Sequence, residues 1–128
     1  MVDLVCVDPE RVREFWPYAG PMIRQATRQL SLYEQIERSV LTGDQLLWLA
    51  WDGAIKSAAT THLADHVCTV TACSGDDMER WLPCFAGIQK YAESEGCRVR
   101  IQGRPGWKRA LAKAGIDVGS IVFVEREA

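Results

Sequence analysis

The sequence predicts an α+β fold in which helices cover both faces of a mixed sheet. Residues 67–103 alternate between a strand-like segment, a helical segment and a second strand-like segment, which is the pattern of a βαβ unit. Upstream, two apolar segments flank Asp52-Gly53, a pair that favours an antiparallel hairpin. Because a hairpin and a parallel crossover occur together with helices on either side, a mixed sheet is expected.

The helix of the βαβ unit carries the clearest periodicity in the chain. Its apolar residues recur at i, i+3 and i+4 spacing and form one stripe: Met78, Trp81, Leu82, Phe85, Ile88 and Ala92. Capping-box patterns within residues 74–79 predict its beginning, and Gly96 predicts its end. Pro83 removes a helical hydrogen bond, so either the first turn is irregular and the regular helix begins near Trp81, or the helix is kinked.

The N-terminal part of the chain predicts a strand and a broken helix. We expect the strand over residues 2–7 and a helix that begins at Pro9, because proline is favoured in the first helical turn. Pro17 and Pro21 interrupt this helix, so we expect it to resume as a second piece over residues 22–29.

A further helix and a three-stranded meander come next. The capping box Ser31-x-x-Glu34 predicts the beginning of the helix, and Gly43 predicts its end. Turns at Asp52-Gly53 and Ala64-Asp65 join the strands of the meander. These strands are expected over residues 45–51, 54–62 and 67–73.

The C-terminal part predicts two more strands with a short helix between them. The strands are expected over residues 98–102 and 120–127, and the helix over Trp107–Lys113. The complete order is β, α, α, β, β, β, α, β, α, β. We therefore expect a single domain over residues 1–128, with a mostly antiparallel, twisted central sheet, one parallel βαβ crossover and helices on both faces.

Charge and composition argue against a nucleic-acid-binding, a membrane or a secreted protein. The net charge is −2, which gives no indication of a nucleic-acid partner. No apolar run approaches the ~20 residues of a membrane helix, and the N-terminus carries no signal-peptide pattern. We expect no membrane partner and a cytoplasmic location, with virion association as the alternative. The five cysteines are scattered and odd in number, so we expect reduced, mostly buried thiols.

The order of elements resembles the GCN5-related N-acetyltransferase (GNAT) fold over nearly the whole chain. Three segments, QLLWLAWDG, RWLP and EGCRVRIQGRPGW, give a closer resemblance to small acetyltransferase-like proteins of tailed phages and prophages. The resemblance implies that the strand at residues 67–73 splays from the next strand and that the pantetheine arm of acetyl-CoA lies in the gap. By position in the fold, it implies cofactor-binding residues at Thr71, Cys73, Ser74 and Gly75.

Two features depart from the pattern that this resemblance implies. Asp76 and Asp77 stand where a glycine-rich loop would receive the pyrophosphate, and only Gly75 meets the glycine requirement. Like charges ~4 Å apart repel by about 1 kcal/mol even at the dielectric constant of water. The helix over Trp107–Lys113 also lacks the tyrosine that many active members place there to protonate the leaving thiolate.

The sequence leaves the catalytic residues unassigned. Glu34, Glu37 and His62 are candidate general bases, but nothing in the sequence places them near a thioester. Cys73 and Cys84 are candidate nucleophiles close to a predicted helix N-terminus, with buried, unreactive thiols as the favoured alternative.

A zinc site is the next alternative considered. His62, His66, Cys68 and Cys73 are suitable ligand types, but the spacing matches no zinc finger and no CxxC occurs. The odd offset between Cys68 and Cys73 places them on opposite faces of a strand. We therefore expect no metal.

The basic residues near the C-terminus form the only local charge asymmetry. Arg98 and Arg100 are expected to share one face of a strand. The residues that follow are a candidate patch for an anion or a partner: Arg104, Trp107, Lys108 and Arg109. The alternative is an ordinary solvated surface, offset by nearby glutamates.

Two tryptophans on one strand indicate a possible interface. Trp48 and Trp51 are three positions apart and therefore face opposite sides of the sheet. Either one of them is exposed in an interface, or both are covered by helices.

The leading functional hypothesis is an acetyltransferase-like domain with a degenerate acyl-CoA site, used as a non-catalytic binding or assembly module in a phage or prophage. Its partner would be another protein or a second copy of the chain. The alternative is an active acyl-CoA-dependent N-acetyltransferase with acetyl-CoA as cofactor. A third, weaker reading is an anion- or nucleic-acid-binding protein that uses the Arg104–Arg109 face.

Overall fold

The computed structural model of the protein describes residues 2–75, 82–103 and 106–125. Six strands form one sheet, and their order in space is their order in the sequence. The strands are β1 (Asp3–Cys6), β2 (Leu46–Trp51), β3 (Ile55–Ala64), β4 (Val67–Gly75), β5 (Arg98–Gly103) and β6 (Val122–Glu125). The helices of the described residues are α1 (Val12–Thr27), α2 (Leu30–Leu41), α3 (Phe85–Ser94) and α4 (Trp107–Lys113).

The sheet confirms the predicted fold class. Strands β1 to β4 pair in antiparallel fashion, and β4 pairs with β5 in parallel. β6 is also parallel to β5, so the sheet has a second parallel crossover in addition to the predicted one. Both predicted reversals occur: Gly53 has a φ of 73°, and Asp65 and His66 have φ values of 52° and 61°.

Helices cover both faces of the sheet. α1 and α2 pack on one face around a core that includes Ile23, Ile36 and Leu47. α3 and α4 pack on the other face, where Phe85 and Leu111 are among the buried residues. β2 is covered on both sides along most of its length, and its sequence, LLWLAW, is accordingly almost entirely apolar.

α1 is one continuous helix, so the predicted break at Pro17 and Pro21 is wrong. The two prolines are four residues apart and both lie on the exposed side of α1. Carbonyl groups that lose a helical partner there can bond to water instead. The opposite side carries Trp16 and Ile23, which are buried against the sheet and hold the helix together.

The predicted capping box of the second helix is also wrong. α2 begins at Leu30, so Ser31 lies inside the helix and Gln29 occupies the capping position without a side-chain hydrogen bond. The reason is that α1 ends in a left-handed residue, Arg28, with a φ of 58°. This turns the chain at once, and α2 follows after only two residues.

The helix of the βαβ unit begins irregularly, as Pro83 indicated. A 3-10 turn at Leu82–Cys84 precedes α3, so the regular helix described begins at Phe85. Residues 76–81, which include the predicted beginning near Trp81, lie outside the described residues. Gly96 ends the helix as predicted, because its φ of 68° allows the Cys97 N–H to bond to the Ala92 carbonyl at 2.8 Å.

The described helices are too short or too polar to cross a membrane.

Candidate functional site

β4 and β5 separate part-way along their length. They are paired from Val67↔Arg98 to Val70↔Ile101. Beyond this point β4 continues to Gly75 alongside β3, while β5 continues to Gly103 alongside β6. The residues after Val70 therefore border a gap between two strands that are parallel neighbours over their first half.

A β-bulge at Thr71 gives the physical reason for the separation. Thr60 pairs with Ala72 and Thr61 pairs with Val70, so Thr71 is an extra residue without a paired residue on β3. A bulge bends its strand and increases the local twist. The bend falls between the last residue paired with β5 and the segment that borders the gap.

The Thr71 side chain holds the bulge in place. Its hydroxyl donates to Gln45 Oε1 at 2.6 Å and lies 2.7 Å from Thr60 Oγ1. Thr60 and Gln45 are buried, so their polar atoms need these partners. No local pattern predicts this network, because Gln45 and Thr71 are 26 positions apart in the sequence.

Cys73 is a neutral thiol at this site. Burial raises the pKa of Cys73 to about 12, so the thiol keeps its proton at neutral pH. The predicted placement of Cys68 and Cys73 on opposite faces is wrong, since both pack against the core beneath α3 and α4. The bulge at Thr71 adds one residue between them, which turns their odd offset into an effectively even one.

Cys84 is also held as a thiol. Its pKa is raised by burial and by the negative charge of Asp3. Its Sγ–H donates to the Val2 carbonyl at 3.6 Å. Neither candidate cysteine therefore has the lowered pKa of a nucleophile.

Ser74 and Gly75 end β4 against neighbouring elements. Ser74 Oγ lies 3.5 Å from Gln25 Oε1 on α1. A Cβ at Gly75 would lie 2.4 Å from the Lys56 carbonyl oxygen and 2.4 Å from Ser57 Cβ. The close approach of β3 is thus sufficient by itself to require glycine at this position.

The four residues assigned to a cofactor by resemblance, namely Thr71, Cys73, Ser74 and Gly75, all lie on the segment of β4 that borders the gap. The acidic pair that follows, Asp76 and Asp77, lies outside the described residues.

Comparison with solved structures decides the fold. The structure is similar to the ribosomal-protein-S18-alanine N-acetyltransferase of Escherichia coli, with a TM-score of 0.65 at 14% identity over 88% of this chain and 73% of that one. The chain has a GNAT-like fold. A Bacillus subtilis acetyltransferase in complex with CoA gives a TM-score of 0.60 at 11% identity, over 90% of this chain and 76% of that one.

A third relative of the GNAT-like fold matches over almost its full length. The aminoglycoside 6'-N-acetyltransferase AAC(6')-Ih of Acinetobacter baumannii gives a TM-score of 0.57 at 7% identity, over 100% of this chain and 99% of that one. At the level of sequence, no protein-family model and no curated protein matches the chain. The comparisons give no support to the predicted phage or prophage origin.

The candidate general bases are not gathered at the gap. Glu37 accepts hydrogen bonds from Trp16 Nε1 at 2.7 Å and from the Tyr33 hydroxyl at 3.0 Å, which ties α2 to α1. Burial and the Glu37 carboxylate raise the pKa of Tyr33. Glu34 is exposed on α2. His62 lies opposite Thr69, in the part of β4 that is still paired with β5.

The predicted basic patch is only partly described. Trp107 packs against the core, and its ring lies 2.9 Å from where a Cβ at Gly103 would be. Lys108 and Arg109 are exposed, whereas Arg104 lies outside the described residues. On the neighbouring strand, Arg100 donates from Nε to Thr69 Oγ1 at 3.2 Å.

Metal ligands do not cluster in the described part of the chain. No three His, Cys, Asp or Glu residues there lie close enough together to hold an ion.

Two clefts open on the side of the sheet covered by α1. One, of about 450 Å³, runs beside the edge strand β1 and is lined by Val5, Phe15 and Trp51, among others. The other, of about 580 Å³, lies at the C-terminal end of α1.

Proposed function

We propose that the chain is an acetyltransferase-like binding module whose acyl-CoA site is degenerate and does not catalyse acyl transfer. The proposal rests on two side chains that border the gap, since the Thr71 hydroxyl is bound within the protein and the Cys73 thiol stays protonated at neutral pH. The partners of Thr71 are Gln45 and Thr60.

Transfer of an acyl group from a thioester to an amine requires two proton movements. The amine loses a proton as it attacks, and the sulfur gains one as it leaves. A thiol with a pKa of about 12 is too weak an acid to protonate a thiolate efficiently, and Glu37 is bound to Trp16 and Tyr33. α4 carries no tyrosine in its sequence.

The loop that follows Gly75 supports the same proposal through its charge. Asp76 and Asp77 succeed the strand directly, at the place where the resemblance puts a pyrophosphate. Each carboxylate opposes a bound anion by about 1 kcal/mol or more at ~4 Å. Together they would weaken CoA binding at least tenfold relative to a neutral loop.

Trp51 supports a binding role for the surface of the domain. Its side chain is 43% exposed at the end of β2, whereas Trp48 is buried and donates from Nε1 to Thr61. Tryptophan is enriched at protein-binding hot spots. The cleft beside β1 is therefore where we expect a protein partner or a second copy of the chain to bind.

An active N-acyltransferase is the second candidate, and the separation of β4 from β5 favours it. The part of β4 that is no longer paired with β5 can offer its backbone N–H and C=O groups to an extended ligand. An exposed sheet edge binds an added strand in the same way. The amides of a pantetheine arm could bond to the segment from Thr71 to Gly75 in this way.

Calorimetric titration of acetyl-CoA and of free CoA separates the two candidates. The native protein is compared with the Asp76→Asn/Asp77→Asn variant. The Glu10→Gln/Glu93→Gln variant is the control, since it changes the net charge equally at two exposed positions away from the loop. The proposal predicts no heat of binding for native protein and control, and measurable binding by the loop variant.

Micromolar binding by the native protein would contradict the degenerate site and favour the active enzyme. A search among amine acceptors would then identify the reaction.

A further inference from the structure

The cleft at the C-terminal end of α1 is lined by two arginines that form no ion pair with the described residues. Its lining consists of Pro21, Met22, Arg24, Gln25 and Arg28. Arg24 lies in the last turn of α1, and Arg28 follows directly after the helix. Within residues 2–75, 82–103 and 106–125, the ion pair found joins Arg11 to Glu14, and neither residue lines this cleft.

The backbone at Arg28 is left-handed. Arg28 has a φ of 58° and a ψ of −10°, and its N–H bonds to the Arg24 carbonyl at 3.3 Å. The left-handed conformation is unfavourable for a residue with a side chain and is more often occupied by glycine or asparagine. The chain thus ends α1 with a second cation where a small residue would be better suited to the backbone.

Arg24 is oriented by an aromatic ring. Its guanidinium lies 5.6 Å from the centroid of the Tyr33 ring, within the range of a cation–π contact. The Glu37 carboxylate accepts hydrogen bonds from Trp16 and from the same Tyr33. The planar guanidinium therefore keeps N–H groups that can donate to a ligand in the cleft.

The cleft adjoins the candidate site. Gln25 lies within 3.5 Å of Ser74 at the end of β4, next to the segment that borders the gap. α1 packs directly on β4. A ligand held by Arg24 and Arg28 would thus lie beside the strand that has separated from β5.

We propose that this cleft binds a carboxylate-bearing segment of an acidic protein partner. Two neighbouring guanidinium groups suit carboxylates, which they can bind through paired N–H donors. The cleft is open to solvent and has Pro21 and Met22 in its wall, so it fits an extended peptide with an apolar residue beside its acidic ones. The proposal rests on the proposed function as a binding module and adds to it a second binding surface, separate from the cleft beside β1.

Fluorescence anisotropy with a labelled peptide tests this proposal. The probe carries several glutamates and one leucine in a glycine-alanine background, and a matched peptide carries glutamine in place of each glutamate. The native protein is compared with Arg24→Gln/Arg28→Asn, in which asparagine tolerates the left-handed backbone. The control is Arg13→Gln/Arg38→Gln, which removes two exposed arginines elsewhere on α1 and α2.

The proposal predicts that the native protein and the control bind the glutamate peptide equally. The cleft variant should bind it at least tenfold more weakly, and added salt should weaken the native complex. Equal binding by the cleft variant, or of the glutamine peptide, would overturn the proposal. Free glutarate binding as tightly as the peptide would overturn a peptide partner, and tighter binding of a single-stranded RNA would assign the cleft to nucleic acid instead.

The result does not depend on acyl-CoA, because no CoA is present in the anisotropy experiment. Failure of this proposal and failure of the proposed function are therefore observed separately. Circular dichroism of both variants checks that α1 remains folded.

Discussion

At the scale of single residues, Thr71 determines the shape of the candidate site. Its hydroxyl links the bulge to Gln45 at the start of β2 and to Thr60 on β3. These contacts keep an irregular strand position fixed in a buried polar environment. The same bulge places Cys73 on the side of Cys68, where its thiol is partly buried against the core.

Replacing Thr71 with valine should destabilise the protein. The substitution keeps the shape of the side chain but leaves Gln45 and Thr60 without the shared hydroxyl, which costs about 1–3 kcal/mol. Urea denaturation followed by tryptophan fluorescence measures the free energy of unfolding. Thr71→Ser is the matched control, because it keeps the hydroxyl. If the two variants were equally stable, the hydroxyl network would not hold the bulge.

The Cys73 thiol should make stability depend on pH in the alkaline range. Its pKa is raised from an ordinary value near 9 to about 12 in the folded state. Above about pH 9, the unfolded chain loses this proton while the folded chain keeps it, so the free energy of unfolding falls as pH rises towards 12. Below pH 9 both states are protonated, and the contribution is fully present.

The comparison that isolates this effect is native protein against Cys73→Ala. Cys68 also has a raised pKa, of about 11, and contributes to both proteins. From pH 8 to pH 10 the native protein should lose more of its free energy of unfolding than the variant does. Parallel losses would show that the Cys73 thiol titrates normally.

At the scale of elements, the sequence predicted what depends on local patterns. The hairpin at Asp52-Gly53, the order of elements and the end of α3 at Gly96 follow from turn residues and periodicity. The sequence failed where a tertiary contact decides the outcome. The bulge at Thr71 exists only in the register of β4 on β3.

The continuous helix α1 is a second case in which a tertiary contact overrides a local sequence pattern. Pro17 and Pro21 predict a break locally, but burial of Trp16 and Ile23 outweighs the lost hydrogen bonds. The resemblance placed the four candidate cofactor residues at the end of a strand and in the loop after it, whereas β4 extends to Gly75 and includes all four. The sequence could not predict that Gly75 is required by the approach of β3.

The prolines of α1 give a prediction at this scale. Pro21→Ala should stabilise the protein by about 1 kcal/mol, because alanine supplies the missing N–H and has a far better helix propensity. Thermal unfolding measures the change. Pro9→Ala is the control, since Pro9 begins a helical turn where no N–H donor is needed. A lower stability for Pro21→Ala would mean that the helix depends on the proline ring.

At the scale of the whole molecule, the fold defines the architecture, whereas the activity depends on the residues of the candidate site. The GNAT-like fold supplies a sheet in which β4 leaves β5, and this feature is compatible with both catalysis and binding. We propose that the residues along the gap distinguish these roles, because the Thr71 hydroxyl is bound to Gln45 and Thr60 and the Cys73 thiol stays protonated. The central claim of the account is that the fold keeps the gap while the acidic loop and the missing proton donors prevent its use by acyl-CoA.

The most direct test is a two-dimensional ¹H–¹⁵N NMR titration with acetyl-CoA that follows the backbone amides from Thr71 to Gly75. We predict no shift of these signals in the native protein at about millimolar acetyl-CoA. At this concentration the protein is not saturated by a ligand whose binding free energy is weaker than about 4 kcal/mol. The same signals should shift in the Asp76→Asn/Asp77→Asn variant. Saturable shifts at micromolar acetyl-CoA in the native protein would contradict the account, because they would place the cofactor in the gap despite the acidic loop.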